Sequence, residues 1–120
     1  AAQYLAQGRL DDAIPLLEQA ARLAPSHELV HTRLGGAYLQ KGRGPDAFRV
    51  LTLVRRLYPN NWFAPLGLAV LHAANEQEAE ARPLLDEAFR LGGDDAREAA
   101  RGYAALGKLV GGGAPKPAGS

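Results

Sequence analysis

Apolar and polar residues alternate along this chain at the spacing of amphipathic helices, and the pattern itself repeats every 34 residues. Alanine, leucine and arginine return at the same places in three successive stretches. Four such sets are Ala13, Ala47 and Ala81; Leu17, Leu51 and Leu85; Leu23, Leu57 and Leu91; and Arg22, Arg56 and Arg90. This period is typical of stacked helix–turn–helix units, in which each unit buries its apolar face against its neighbours. The pattern therefore predicts a binding module built from repeated helix pairs.

Turn-forming residues divide the chain into a series of predicted helices. Gly8, Gly42 and the pair Gly92-Gly93 are expected to end helices, because glycine readily adopts the left-handed backbone of a helix end. Pro45 begins another helix, since proline fits the first helical position. The predicted helices cover residues 2–7, 11–23, 28–41, 44–57, 62–74, 78–91, and 94 or 95 to about 110.

The residues at these repeating positions resemble a tetratricopeptide repeat. That family places a small residue and an aromatic in the first helix of a unit, then a glycine in the turn. Two alanines and a bulky residue follow in the second helix, and a proline closes the unit. The flanking units keep most of the positions that the middle unit fills with Leu34, Gly35, Tyr38, Gly42, Ala47, Leu51, Val54 and Pro59. The resemblance implies an all-α fold, a right-handed superhelical stack of antiparallel helix pairs with a C-terminal capping helix.

The resemblance also implies how the chain divides into units. A partial repeat, two full repeats and the capping helix would occupy residues 1–27, 28–61, 62–95 and 96–110. Residues 1–110 then form one domain. Residues 111–120 contain only Gly, Ala, Pro, Lys and Ser and are expected to be a disordered tail or linker. Since the first unit lacks most of its first helix and the chain begins with Ala1, we expect the parent protein to continue N-terminally.

The overall charge gives no strong attraction to nucleic acid or to an anionic membrane. The chain has 14 basic and 13 acidic residues and no cysteine. Arg43, Arg49, Arg55 and Arg56 cluster around one helix, but a nucleic-acid interface needs more arginines on one face, with exposed aromatics nearby. No stretch approaches the roughly 20 apolar residues that span a bilayer. We expect neither nucleic-acid binding nor membrane insertion, and the compartment stays open with the cytoplasm favoured.

In the tetratricopeptide family the first helix of each unit lines a concave groove, which makes residues 62–74 informative. This predicted helix has two apolar faces, and a helix that is apolar all round is buried all round. One face would pack on other helices, while the other has no obvious cover within the chain. With the preceding first helix, that second face predicts a groove for an apolar peptide or an amphipathic helix.

The predicted groove is mostly apolar, with Gly36 and Gly67 making room at its floor. The alternative interpretation of this apolar surface is a structural seam, which the missing N-terminal part, or a second copy of the chain, would fill. The predicted lining residues are Leu29, Thr32, Arg33, Gly36, Leu39, Gln40, Phe63, Leu66, Gly67, Val70 and Ala74.

A second candidate consists of Arg97 and Arg101, one turn apart and therefore on one face of the last predicted helix. Some members of the family hold a peptide's terminal carboxylate with basic and asparagine side chains at comparable places, and these two arginines could clamp a carboxylate. The paired asparagines of that clamp are absent, which argues against binding the acidic tails of heat-shock chaperones. The alternative is that both arginines solubilise the helix and pair with Asp94, Asp95 or Glu98.

The segment from His27 to His31 matches the H-E-x-x-H motif of zinc hydrolases. On a helix, that spacing places two imidazoles over one Zn²⁺ with the glutamate as general base. Here His27 falls at a predicted helix start, His31 falls on a packing face, and no third histidine follows at the metzincin spacing. We interpret His27 as a capping residue, Glu28 as a surface residue and His31 as a packed residue, with a zinc hydrolase as the competing class. No other catalytic site, metal site or cofactor is indicated, so the chain is not expected to be an enzyme.

The leading interpretation is a non-catalytic scaffold that binds a peptide or helix of a partner protein in its groove. A small chaperone of a bacterial secretion system is the alternative, since such chaperones can be short proteins of this repeat type. The composition, rich in alanine, glycine, arginine and leucine, suggests a bacterial source with GC-rich DNA. A stack of about three units is near the minimum for stability, so weak self-association or a homodimer is also expected.

Overall fold

A computed structural model describes residues 7–25 and 27–110 as a stack of helices. The helices are α1 (Gln7–Leu23), α2 (Glu28–Lys41), α3 (Gly44–Leu57), α4 (Phe63–Ala74), α5 (Glu78–Ala100) and α6 (Gly107–Val110), with a 3₁₀ turn at Ala104–Leu106. No strand occurs within these residues. Neighbouring helices pack in sequence order, and α2 also contacts α4, as in layered helix pairs. The predicted all-α fold is confirmed, while the hand of the superhelix stays a prediction.

The first helix differs from the predicted one. α1 runs without interruption from Gln7 to Leu23, so the predicted helix end at Gly8 is wrong. A glycine inside a helix costs about 1 kcal/mol relative to alanine, which a longer helix can absorb. The rest of the predicted first segment, residues 2–6, lies outside the described residues.

The last helix also differs. Within α5, Gly93 has a φ of 55° and a non-helical ψ, so the predicted break does occur there, but without a connecting loop. The helix then ends at Ala100, and the chain continues through the 3₁₀ turn to α6. The prediction of a single last helix up to residue 110 is therefore wrong. Gly102 and Gly107 weaken helix propagation in this stretch, and Leu106 is completely buried once the chain turns.

The centre of the stack is a close approach of three helices around Leu51 of α3. A Cβ atom built onto Gly35 of α2 would lie 2.6 Å from Leu51 Cδ2, and one built onto Gly67 of α4 would lie 2.5 Å from Leu51 Cδ1. A larger side chain at either glycine would overlap the leucine, because protein interiors are close-packed. Ala47 and Val54, the other repeat positions on α3, are completely buried with Leu51.

A second apolar cluster joins α4 to α5 and to the C-terminal turn. Leu66 and Val70 of α4 lie in this cluster with Leu85 of α5 and Leu106 of the 3₁₀ turn. Complete burial of a leucine side chain stabilises a protein by about 1.5–3 kcal/mol. The residues after Ala100 are therefore held onto α4 by apolar contacts.

Candidate functional site

The exposed side of α2 carries the first group of predicted groove residues. Helical spacing of three and four residues places the group on one face. Leu29 has 51% of its surface exposed, and Arg33 and Gln40 are exposed as well. The half-buried members of the group are Thr32, Gly36 and Leu39. This part of the predicted groove is thus open to solvent.

A cleft of about 590 Å³ opens at the N-terminal end of this surface. Its lining residues are His27, Glu28, Leu29, Thr32, Tyr58 and Asn61. One wall therefore comes from the start of α2, and the other from the connection between α3 and α4. Leu29 provides an exposed apolar side chain inside an otherwise mainly polar rim.

Asn61 holds the two walls of the cleft together. Its side-chain amide donates to Glu28 Oε2 at 2.8 Å and to Thr32 Oγ1 at 3.0 Å. Its side-chain oxygen accepts from the backbone N–H of Ala64 at 3.0 Å, which caps the first turn of α4. Asn61 is not among the predicted site residues, although an asparagine shortly before an apolar helical segment is a recognisable capping signal.

The predicted groove face of α4 is covered in the structure. Leu66, Gly67 and Val70 are buried, and Leu66 and Val70 share their cluster with Leu106. The prediction that this face has no cover within the chain is therefore wrong. The chain's own residues after Ala100 provide the cover, rather than an N-terminal part or a second copy, because they turn back onto α4.

The two glycines of the predicted groove floor accommodate side chains of the chain itself. Gly67 faces Leu51 in the core. Gly36 makes room for the ring of Phe63, since a Cβ atom built there would lie 3.3 Å from Phe63 Cζ. Phe63 is half-buried, and Ala74 is exposed at the end of α4. The open part of the predicted groove therefore consists of α2, the edge of Phe63, the cleft beside Leu29 and Ala74 at the end of α4.

Arg97 and Arg101 are exposed and form ion pairs within their own helical segment. Arg97 lies 3.8 Å from Asp94, and its guanidinium lies 5.1 Å from the centre of the Phe89 ring. Arg101 lies 2.9 Å from Glu98. These pairings are those of the predicted alternative, in which the arginines solubilise the helix. Exposed pairs of this kind are weak, so a carboxylate clamp would lose little by breaking them and stays a prediction.

The two histidines of the H-E-x-x-H motif occupy different environments. His27 is the N-cap of α2, and its Nδ1 accepts from the backbone N–H of Val30 at 3.4 Å. His31 is buried, and its Nδ1 lies 2.8 Å from the backbone oxygen of His27, to which it donates. Among the described residues, no three His, Cys, Asp or Glu side chains lie close enough to hold a metal ion. The capping role of His27 and the packed position of His31 are confirmed, and this geometry gives a zinc hydrolase no support.

A charged network fixes the turn between α2 and α3. Arg43 Nε donates to Asp46 Oδ2 at 2.9 Å, and Arg49 lies 3.3 Å from Asp46 Oδ1. Hydrogen bonds from Arg43 and Arg49 hold the pKa of Asp46 below its ordinary value. Burial, and then a hydrogen bond to Glu18, raise the pKa of Tyr38, whose ring lies 4.6 Å below the Arg43 guanidinium. These groups bind one another, so the network orients helices rather than offering an open site.

A protein-family model described as tetratricopeptide repeat matches residues 4–61 of the chain. The matched region contains α1, α2, α3 and the cleft beside Leu29. No curated protein matches the chain at a significant level. Among the described helices, none is both long enough and apolar enough to cross a membrane.

Proposed function

Because a tetratricopeptide repeat model matches residues 4–61, we propose that the chain binds a peptide or helix of a partner protein on the exposed side of α2. Repeats of this family generally mediate protein–protein interaction and are typically non-catalytic scaffolds. The family resemblance assigns the binding face to the first helix of each unit. In this chain α2 is the first helix of the unit that lies wholly inside the matched region.

The open cleft around Leu29 is the observation that carries this proposal. Covering exposed apolar surface contributes about 25 cal/mol for each Å² removed from water, so a ligand gains by covering this leucine. Glu28, Thr32 and Asn61 add hydrogen-bonding groups at the rim, and Asn61 is already held in place by both walls. An apolar anchor point with a few fixed polar groups is the usual composition of a ligand site.

Arg33 extends this site along α2. It is exposed, lies one helical turn beyond Leu29, and has no ion pair among the described residues. An unpaired guanidinium can donate to a carboxylate or to a backbone carbonyl of a ligand. We infer a ligand with an apolar residue for the cleft and a hydrogen-bond acceptor about one helical turn away.

Selection of peptides from a displayed random library against the chain tests the proposal. The selected peptides should lose at least about tenfold in affinity for a Leu29→Glu variant, because a charge then replaces the apolar anchor. Leu57→Glu is the matched control, since Leu57 on α3 is 49% exposed and receives the same charge. Equal loss in both variants, or loss in neither, would contradict a site on α2.

Exposed leucines on α1 favour self-association as a second role. Leu16 is 67% exposed, whereas Val50, at the same repeat position on α3, is only 4% exposed. Inside the stack, the preceding unit covers this position, whereas among the described residues α1 has no neighbour on this surface. Leu23 is exposed on the same helix. We propose that a second copy of the chain covers this surface and forms a weak homodimer.

The alternative role as a chaperone of a bacterial secretion system would use similar surfaces, since such a chaperone also holds an apolar segment of another protein. Within the described residues, no feature distinguishes it from a general scaffold. This finer role stays a prediction.

A further inference from the structure

Three arginines at one repeat position have no partner for their charge among the described residues. Arg22, Arg56 and Arg90 are exposed on α1, α3 and α5. In the part of the chain that the structure describes, none of the three lies within ion-pair distance of a carboxylate. Equivalent positions of a repeat stack face the same way, so they form a row of positive charge, the arginine row. The basic residues that do pair are Lys41, Arg43, Arg49, Arg55, Arg97 and Arg101.

Two clefts of similar size flank α3 beside Arg56. The first, about 520 Å³, lies between α1, α2 and α3, and the second, about 540 Å³, lies between α3, α4 and α5. Phe48, Thr52 and Arg56 line both clefts and form the ridge between them. The clefts repeat one another, because four pairs of lining residues occupy equivalent repeat positions: Ala21 and Arg55, Leu34 and Leu68, Val50 and Leu84, and Leu53 and Glu87.

The ridge is apolar as well as basic. Phe48 is one of the exposed large apolar side chains, and its ring meets His72 edge to face, with 6.2 Å between the ring centroids. Leu34 and Leu68 are buried beneath the two clefts. Exposed aromatic and arginine side chains are enriched in protein interfaces, where they often supply much of the binding energy.

The charges around the ridge leave a positive balance. Arg55 is neutralised by Glu87, whose Oε1 lies 2.6 Å from Arg55 Nη2. Arg49 shares the carboxylate of Asp46 with Arg43, and Arg43 also lies 3.8 Å from Glu18, so two positive charges meet two negative charges there. Arg56 adds a further charge with no partner among the described residues. A negatively charged ligand would complement this surface.

We propose that the ridge and its two clefts bind an acidic segment of a partner protein. Apolar side chains of the segment enter the clefts on either side of Phe48, and its carboxylates pair with Arg56 and the rest of the arginine row. The segment crosses α3, because the repeat places similar clefts on both sides of this helix. This site is separate from the α2 surface and does not depend on a ligand at Leu29.

A protein segment fits this surface better than a nucleic acid does. The clefts require apolar side chains to fill them, whereas a phosphate backbone would leave them empty. The chain as a whole has 14 basic and 13 acidic residues, which gives a polyanion little long-range attraction.

Peptides of about 12 residues, selected from a random displayed library against the unmodified chain, serve as the probe. We expect one selected class to combine acidic with apolar residues and to lose at least about tenfold in affinity for Arg56→Glu and for Phe48→Ser. Lys41→Glu is the matched charge control, because Lys41 is exposed at the end of α2 and lines none of the clefts; the class should bind it unchanged. Circular dichroism checks the folding of each variant. Arg56→Glu, at an exposed position, carries the test if Phe48→Ser unfolds.

Three results would overturn the proposal. The first is a selection without acidic peptides, and the second is acidic peptides that respond to Lys41→Glu as strongly as to Arg56→Glu, or to neither variant. The third is a single-stranded oligonucleotide that binds through Arg56 without any need for Phe48. Because Leu29→Glu changes the α2 surface alone, failure of that site and failure of the ridge are distinguishable.

Discussion

At the scale of single residues, Leu51 sets the spacing of three helices. Its two methyl groups lie against Gly35 on one side and Gly67 on the other, so it cannot move away from one without approaching the other. The sequence places Leu51 and Gly35 correctly, because both fall on the repeat pattern. It assigns Gly67 to the groove, since a glycine has no side chain whose polarity could reveal which way it faces.

Replacing Gly67 tests this contact. Gly67→Ala would place a methyl group 2.5 Å from Leu51 Cδ1. Overpacking of this kind costs about 1–3 kcal/mol, and the gain of about 1 kcal/mol in helix propensity offsets part of it. We expect the free energy of unfolding in urea to fall by about 1 kcal/mol. Gly107→Ala, in a helical conformation with nothing within 4 Å of the added Cβ, should be neutral or stabilising. A fully stable Gly67→Ala variant would show that Leu51 can move aside.

Asp46 gives the stability a defined dependence on pH. Hydrogen bonds from Arg43 and Arg49 lower its folded pKa below the ordinary 3.8. A depressed folded pKa contributes stability above the ordinary value, which is lost as the pH falls through the folded pKa. The Tm of Asp46→Asn should therefore lie below that of the parent at neutral pH, and the two should converge as the pH falls below 3.8 and through the folded pKa. Asp86→Asn, at an exposed aspartate without an ion pair among the described residues, should follow the parent. A Tm difference that stays constant with pH would contradict this role.

At the scale of elements, α4 shows what a helical pattern of apolar residues can predict and what it cannot. Its two apolar faces correctly predict burial on both sides, as for Leu66 and Leu68. The pattern cannot tell what covers the second face. That cover depends on a turn after Ala100. Gly102 and Gly107 weaken the helix there, but only tertiary contact decides that the chain then packs Leu106 onto α4. The predicted open groove is wrong on α4 for this reason.

Leu106 is the residue whose loss should loosen that cover. Leu106→Ala removes a completely buried side chain beside Leu66 and Val70, and changes of this kind cost about 2–5 kcal/mol. Leu57→Ala, at a half-exposed position, should cost less than about 1 kcal/mol. Chemical denaturation measures both, and faster amide exchange in α4 should accompany the first. Similar small effects in both variants would show that the C-terminal turn adds little to the core.

At the scale of the whole molecule, burial decreases toward the N-terminal end of the stack. Ala47 and Leu51 are completely buried, whereas Ala13 and Leu17 at the same repeat positions are half-buried. The 34-residue period identifies such core positions without a structure, because each unit repeats the same contacts. It cannot show at which end of the described stack the burial falls, because equivalent residues look alike in the sequence.

Self-association through α1 follows from this unequal burial. We expect the average mass, measured by light scattering, to rise with concentration as the exposed leucines of two copies meet. Leu16→Glu should remain monomeric, because a charge would then lie in the contact. Leu57→Glu, which places the same charge on α3, should associate like the parent. A parent chain that stays monomeric at high concentration would rule out this interface.

The turn after Ala100 bears on how this array could be engineered. Residue 96 stands one period after Trp62, so residues 96–100 begin where the opening helix of a further module would belong. After about one helical turn, the chain bends away from the direction that this opening helix would take. Leu106 then occupies the surface of α4 that the module would need. We therefore expect residues 101–110 to end the array. A fusion that appends modules after residues 101–110 should leave the array interrupted. A fusion that replaces these residues should let the new module pack on the apolar surface of α4.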